Sequence, residues 1–226
     1  MILVTGATGT TSPGVVRGLR EAGVDVRALV RNESKAQSLR DMGAEIFVGD
    51  LDKPETIFPA VEGVDKIFLL TANGEAEAQH GRNVIEAAKR AGNPHIVRYA
   101  GFGSEKSRIV KNQQEVEIAL KSSGLPWTLL MPTFFMQNTM LGARTVASDG
   151  VIYWQMQDAH LAMIDARDAT DAAVAILTGS GHEGKTYVLT GPASISFHDV
   201  ASAFSKVLGK EVQYVNVPRE ALIESM

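Results

Sequence analysis

The sequence predicts an α/β fold built on a doubly wound parallel sheet. Short apolar runs alternate with amphipathic stretches through the first 135 residues, and a glycine-bearing turn, Thr5-Gly6-Ala7-Thr8-Gly9-Thr10-Thr11-Ser12-Pro13-Gly14, joins the first such pair. Ile2-Leu3-Val4 reads as a buried strand, and Val15, Val16 and Leu19 then recur at helical spacing up to Gly23. A turn of this kind is where a phosphate would sit. Gly6 and Gly9 let the backbone bend and approach a pyrophosphate, and the positive end of the next helix stabilises its charge. Thr8, Thr10 and Thr11 belong to the same turn. Ser12 stands where a third glycine would allow close helix–strand packing, and Gly14 comes two positions late, so a locally adjusted turn is expected.

The following elements continue the alternation. Val24 to Val30 is a second strand; Ser34 to Met42 is a helix, capped by Ser34 and stopped by Gly43. A third strand spans Ala44 to Val48, and a short helix Pro54 to Val61 despite Pro59. Lys66 to Leu70 is a fourth strand and Glu75 to Ala91 a longer helix ending at Gly92. Ile96 to Tyr99, a helix over Gln113 to Ser122, and Trp127 to Met131 complete the series. Repeated β-α units place helices on both faces of one parallel sheet. Beyond Pro132 the pattern loosens. Phe134 to Met140 reads as a loop or short helix, Val151 to Trp154 as a strand and Arg167 to Leu177 as a helix. Thr186 to Leu189, Phe197 to Leu208 and Val212 to Val217 give strand, helix and strand, with a last helix beginning near Glu220. The expectation is one interwoven domain. Residues 1–132 form mainly its dinucleotide-binding part, and residues 133–226 mainly a smaller substrate-binding lobe.

Bulk composition narrows the function. The chain has 226 residues, 45% apolar and 21% charged, which suits a globular protein with a substantial core. A net charge of −4 without a basic cluster argues against nucleic acid as a partner. With no cysteine there is no thiol chemistry. No apolar run reaches membrane-spanning length, and a first strand at Ile2 leaves no room for a leader segment, so the expectation is cytoplasmic. The five histidines, His80, His95, His160, His182 and His198, show no metal-ligand spacing and read as surface or capping residues. No metal site is expected.

The strand exits supply candidate ligand contacts. Arg31 closes the second strand, roughly 25 residues after Gly6, where such folds read the adenosine ribose. A carboxylate there favours a free 2′-hydroxyl; a guanidinium suits a 2′-phosphate, with Lys35 as a second cation. This spacing points to NADP(H) over NAD(H). Asp50 and Leu51 follow the third strand, as acceptor and cover for adenine, although Asp50 also fits a plain turn role. Thr71, Ala72 and Asn73 follow the fourth, toward the nicotinamide ribose, and Tyr99 and Gly101 the fifth. Phe102, Thr133, Phe134, Phe135 and Trp154 are candidates for an apolar acceptor pocket; each aromatic ring among them fits a core role equally well.

Several runs together resemble one family. Thr5-Gly6-Ala7-Thr8-Gly9, Val30-Arg31-Asn32, Val48-Gly49-Asp50-Leu51, Ser123 to Thr128, Pro132 to Asn138, Ala166-Arg167-Asp168 and Gly184 to Pro192 occur in the order seen in NmrA-like atypical short-chain dehydrogenase/reductases. The resemblance covers essentially the whole chain. It implies a Rossmann-like fold that binds NAD(P) and, for many members, NAD(P)H-dependent reduction of quinones or similar small acceptors. Other members resemble redox sensors that hold the dinucleotide and act on a protein partner. The Tyr and Lys pair of mainstream relatives is missing: none of Tyr99, Tyr153, Tyr187 and Tyr214 has Lys four residues later. Neutral Gln113 stands where relatives in the wider group carry Lys or His. The catalytic residue is therefore not assigned. Family members commonly continue with further helices, so the expectation is a C-terminally incomplete lobe.

A quinone suits such a site. It is strongly electrophilic, and its developing oxyanion is delocalised, so water or a hydroxyl such as that of Thr71 or Thr133 suffices as proton source.

Overall fold

A computed structural model describes residues 1–103 and 107–218. The expected helix near Glu220 lies outside the described residues. Strands and helices alternate as β1 (Ile2–Val4), α1 (Ser12–Glu21), β2 (Val26–Val30), α2 (Gln37–Asp41), β3 (Glu45–Val48), α3 (Pro54–Val61) and β4 (Lys66–Leu69). They continue as α4 (Glu77–Arg90), β5 (His95–Tyr99), α5 (Arg108–Lys121) and β6 (Trp127–Pro132). After a 3-10 turn at Met136–Gly142 come α6 (Ala143–Asp149), β7 (Val151–Trp154), α7 (Ala166–Thr178), β8 (Lys185–Leu189), α8 (Phe197–Leu208) and β9 (Gln213–Asn216).

Seven strands form one parallel sheet in the order β3-β2-β1-β4-β5-β6-β8. The order reverses between β1 and β4, where Leu3 lies opposite Arg27 on one side and Ile67 on the other. That reversal opens a crevice at the carboxyl ends of the strands, the place where open α/β sheets bind ligands. Apolar residues of the strands, among them Leu3, Leu29, Ile67 and Leu69, pack with Ile57, Val84 and Leu120 into one hydrophobic core.

The chain divides into two compact units. One comprises Met1–Pro132 and Arg167–Leu189. The other comprises Thr133–Ala166 and the described residues from Thr190 onward. Residues 167–189 thus return to the sheet as most of α7 and the whole of β8. In the first unit α7 lies close against α1: a Cβ on Gly14 would come within 3.0 Å of Thr170 Cγ2, and one on Gly18 within 2.8 Å of Val174 Cγ2. The late glycine serves helix–helix approach, and Ser12 takes the third position of the turn. Ser12 is fully buried, and its hydroxyl donates to the Thr5 carbonyl at 3.3 Å, so close packing survives there.

In the second unit β7 and β9 pair in parallel, and α8 completes a small core of Val146, Ile152, Met163, Phe197, Val200, Ala201 and Val212. Ser196 and Asp199 form a reciprocal capping box that starts α8.

Three expectations need correction. Ser34 does not cap a helix: Asn32 accepts from both the N–H and the hydroxyl of Ser34, which spends that residue in a tight turn and delays α2 to Gln37. Helix α5 starts at Arg108, not Gln113, because Ile109 is 46% exposed and hides the apolar period of the first turn. Helix α6 has no counterpart in the sequence reading; it buries only Val146, and its one terminal signal is Gly150, at φ +69°.

Candidate functional site

A cleft of about 250 Å³ lies at the carboxyl ends of β1 to β4. Gly6, Thr8 and Gly9 line it from the first turn, Arg31 from the second strand exit, and Asp50 and Leu51 from the third. Ala72 contributes from the fourth. Glycine is required at position 6, which adopts φ +58° and where a Cβ would stand 2.9 Å from the Leu70 carbonyl oxygen. Thr5 fixes that approach. Its hydroxyl donates to the Leu70 carbonyl at 2.8 Å and accepts from the Leu70 N–H at 2.9 Å, stitching β1 to the exit of β4.

The turn fits an anion. Helix α1 has no acidic residue in its first turn, and its N-cap residue, Thr11, makes no side-chain capping bond, so the chain's own groups leave the positive end uncompensated. Arg31 is exposed and joins no ion pair among the described residues; its neighbour Glu33 is held by Arg40. Asp50 takes the turn role offered for it and also stands in the cleft wall. It lines the cleft, and its Oδ1 accepts from the Asp52 N–H at 3.1 Å.

His80 escaped the sequence reading. Its ring lines the cleft from α4, and Nε2 lies 2.7 Å from Asp52 Oδ1. It is therefore not a plain surface or capping histidine. Only the packing of α4 across the third strand exit reveals this, and no local motif carries it.

The other candidates fall outside that cleft. Lys35 is exposed in the turn beyond Arg31, Thr10 is exposed, and Thr11 is buried. Thr71 is drawn into a buried network: its hydroxyl donates to Glu77 Oε1 at 2.9 Å and accepts from Arg98 Nη1 at 3.0 Å. Arg98 also reaches Glu77 Oε1 through Nη2 at 2.8 Å and the Leu69 carbonyl at 3.2 Å. Both ends of this ion pair are essentially inaccessible, at 0% and 1% exposure. Burial lowers the guanidinium pKa, and Glu77 opposes the shift. Asn73 Oδ1 accepts from Gln113 Nε2 at 3.2 Å, and Gly101 lies beside the same carboxamide.

Tyr99 is 4% exposed, packs on Phe68 at 5.4 Å between ring centres, and leaves its hydroxyl without a formed hydrogen bond. Burial pushes the phenol pKa up, and the nearby Thr11 hydroxyl opposes only part of that shift. As a proton donor near neutral pH it is unsuited.

Of the acceptor-pocket candidates, Phe102 is 55% exposed, with its N–H bonded to the Pro132 carbonyl at 3.0 Å. The rest belong to the second unit. Phe134 and Trp154 meet edge to face at 6.0 Å, and Trp154 stacks on Phe197 at 5.3 Å, so these rings pack against that unit's core. Phe135 bridges Ile164 through its backbone, and the Thr133 hydroxyl donates to the Ala162 carbonyl at 2.6 Å.

The crevice at the strand reversal, its glycine turn and the seven-stranded order extend across a chain that matches one family model over residues 1–226. The protein belongs to the NmrA-like family. This NmrA-like chain is 39% identical to an NAD(P)H azoreductase of Xenophilus azovorans, over 100% of its own length and 80% of that protein. It is 31% identical to quinone oxidoreductase 2 of Escherichia coli, over 96% of itself and 78% of that protein. Among solved structures it superimposes on the NADPH complex of an NADPH-dependent quinone oxidoreductase from Escherichia coli with a TM-score of 0.92 and 30% identity, covering 100% and 81% of the two chains. The NADP(H) complex of a Citrobacter triphenylmethane reductase gives 0.90 and 29%, covering 100% and 82%. Among the described residues, no helix is long and apolar enough to cross a membrane.

Proposed function

We propose that the protein is an NAD(P)H-dependent reductase that takes NADPH in preference to NADH and reduces a quinone-like or otherwise activated small molecule. The observation that carries the reading is the cleft itself, whose walls include both the glycine turn and an arginine with no ion-pair partner among the described residues. The reductase names of the relatives support the same reaction class.

A bound reduced nicotinamide supplies the hydride. The residues of the chain hold and orient it. Gly6, Thr8, Gly9 and the start of α1 receive the pyrophosphate, and Arg31 receives the 2′-phosphate through its planar fork of donors. Asp50 and Leu51 flank the adenine, while Ala72, Asn73 and Gly101 border the nicotinamide side. Thr71 and Thr133 both donate their hydroxyl protons to neighbours within the protein. Water therefore supplies the proton that a reduced quinone needs, and catalysis rests on proximity and orientation. We place this chemistry in the cytoplasm.

The commitment of both hydroxyls also favours one rival, a dinucleotide-binding redox sensor that acts on a protein partner. Titration with NADPH and NADH, followed by a panel of quinones and enones with absorbance read at the reduced nicotinamide band, separates the two. Turnover with an NADPH preference supports the reductase. Tight binding with no oxidation across the panel removes it and leaves the sensor.

A further inference from the structure

Gln113, in the first half of α5, is 7% exposed. Its Nε2 donates to Asn73 Oδ1 at 3.2 Å, which turns the amide nitrogen toward the loop after β4. The amide oxygen has no hydrogen-bond partner among the described residues. Gly101 lies beside it: a Cβ there would stand 3.6 Å from Oε1 and 4.0 Å from Nε2, and among the described residues nothing else beyond its chain neighbours comes as near. One buried carboxamide thus spans the exits of two neighbouring strands, β4 and β5, and holds an unmet acceptor where the glycine leaves space. Buried acceptors are seldom left without a donor, and a ligand bound across these two strand exits would bring one.

Topology says which part of the ligand arrives there. The glycine turn, Arg31 and Asp50 occupy the β1-β2-β3 side of the strand reversal, which takes the adenosine half and the pyrophosphate. The β4 and β5 exits lie on the other side and take the second nucleoside.

We propose that Gln113 is a positioning residue for the nicotinamide nucleoside, its Oε1 accepting a hydrogen bond from that end of the cofactor while Asn73 holds the amide in place. The inference rests on the cofactor reading above. A neutral amide suits the task because it stays an acceptor at every working pH and is tethered through its nitrogen. The donor on the ligand is either a ribose hydroxyl or the nicotinamide carboxamide N–H.

Three probes test this by binding alone: NADPH, 2′-phospho-ADP-ribose, which lacks the nicotinamide ring, and 2′,5′-ADP, which lacks the whole second nucleoside. Gln113→Met preserves volume and removes the acceptor. It should weaken NADPH roughly threefold to tenfold, the range of one neutral hydrogen bond, and leave 2′,5′-ADP within about twofold. A parallel loss for 2′-phospho-ADP-ribose identifies a ribose hydroxyl as the donor; no loss for it identifies the carboxamide. Asn73→Ala, at an exposed position, should give the same pattern more weakly and keeps the test open should Gln113→Met fold poorly. Unchanged NADPH affinity in both variants overturns the inference, as does an equal loss for NADPH and 2′,5′-ADP. Wild-type protein that binds none of the probes overturns the cofactor reading itself, and the inference with it.

Discussion

Replacing Glu77 with Gln should destabilise the protein far more than its size suggests. The ion pair that Glu77 forms with Arg98 is 2.8 Å long and sealed from water at both ends. In the Glu77→Gln variant the new amide would keep an acceptor oxygen for Thr71 and Arg98 Nη2, so packing and bond count are nearly preserved and the charge alone is lost. Arg98 would then be a buried cation without its counter-charge, a condition that costs roughly 3–5 kcal/mol. Glu117 sets the lower end of that range. It is 8% exposed, its pKa is raised by burial and held back by Arg98, and it becomes the nearest remaining carboxylate in that field. Against a total stability of about 5–15 kcal/mol for a typical domain, the loss shows plainly in urea unfolding followed by circular dichroism. A paired replacement, Arg98→Met with Glu77→Leu, removes both charges and should recover part of the loss. Refutation takes one of two forms. Either Glu77→Gln costs less than about 1 kcal/mol, the scale of an exposed pair, or the paired variant is weaker than the single one.

Three further outcomes follow from the site and its surroundings. Arg31→Glu should weaken NADPH at least tenfold, the scale of a charge-assisted hydrogen bond of about 1.5–3 kcal/mol, and NADH much less; an equal loss in calorimetric titrations would mean that Arg31 does not read the 2′-phosphate. His95 should make the protein acid-sensitive. Thr128 spends its hydroxyl proton on the His182 carbonyl at 2.6 Å, so His95 Nε2 must donate to Thr128 at 2.9 Å, leaving Nδ1 buried without a hydrogen bond and 3.9 Å from Glu183 Oε1, whose charge opposes part of the shift. Burial, then Lys66, depresses its pKa below the ordinary 6.5, so the unfolded chain binds the proton more readily. The associated stability is complete above pH 6.5 and is lost as pH falls through the depressed value. His95→Gln should flatten that limb of a stability-against-pH curve, and an unchanged slope would rule the group out. Tyr99→Phe should leave the ligand-free protein as stable or raise its stability by up to about 1 kcal/mol, because the buried hydroxyl meets only the Thr11 hydroxyl and in no formed hydrogen bond; a loss of more than about 1 kcal/mol would show that the Thr11 contact is a full hydrogen bond.

How much of this the chain discloses depends on distance along the sequence. Strands β1 to β6 and the glycine turn are legible because apolar period, capping and turn chemistry are all local, and Arg31 and Asp50 follow from counting to the strand ends. Ser34 misleads because Asn32, two residues earlier, outcompetes it for the same turn. Phe134 and Trp154 are apolar at plausible pocket positions, yet their rings find Phe197, far beyond them in sequence, and pack there. Thr71 is drawn away from the cleft by Arg98 and Glu77, whose meeting requires β5 to lie beside β4 under the start of α4. His80 fails for the opposite reason: nothing near it in the chain predicts a cleft wall, and only helix packing brings it to Asp52.

The unmet hydrogen bonds give the sheet a direction that the sequence does not show. At the amino ends of the strands, Lys66 donates to the Ile176 and Gly179 carbonyls, Thr128 is bonded on both sides, and His182 pairs with Tyr187; the exceptions there are His95 Nδ1 and Arg20 Nε, and Arg20 is paired through Nη1 to Val24 and Asp25. At the carboxyl ends of β4 and β5 the bare atoms are Glu77 Oε2, Arg98 Nε, the Tyr99 hydroxyl and Gln113 Oε1. The first two belong to groups already paired through their other atoms, so the network accounts for them. The Tyr99 hydroxyl has only the nearby Thr11 hydroxyl beside it, and Gln113 Oε1 has no such account among the described residues. Two polar groups without a full protein partner at one edge cost stability unless something bound there satisfies them. Gln113 differs from Tyr99 in being tethered through its other end, and a tethered acceptor is oriented before any ligand arrives. Pre-set orientation is what a reaction relying on proximity requires, since it reduces the ordering that binding must supply.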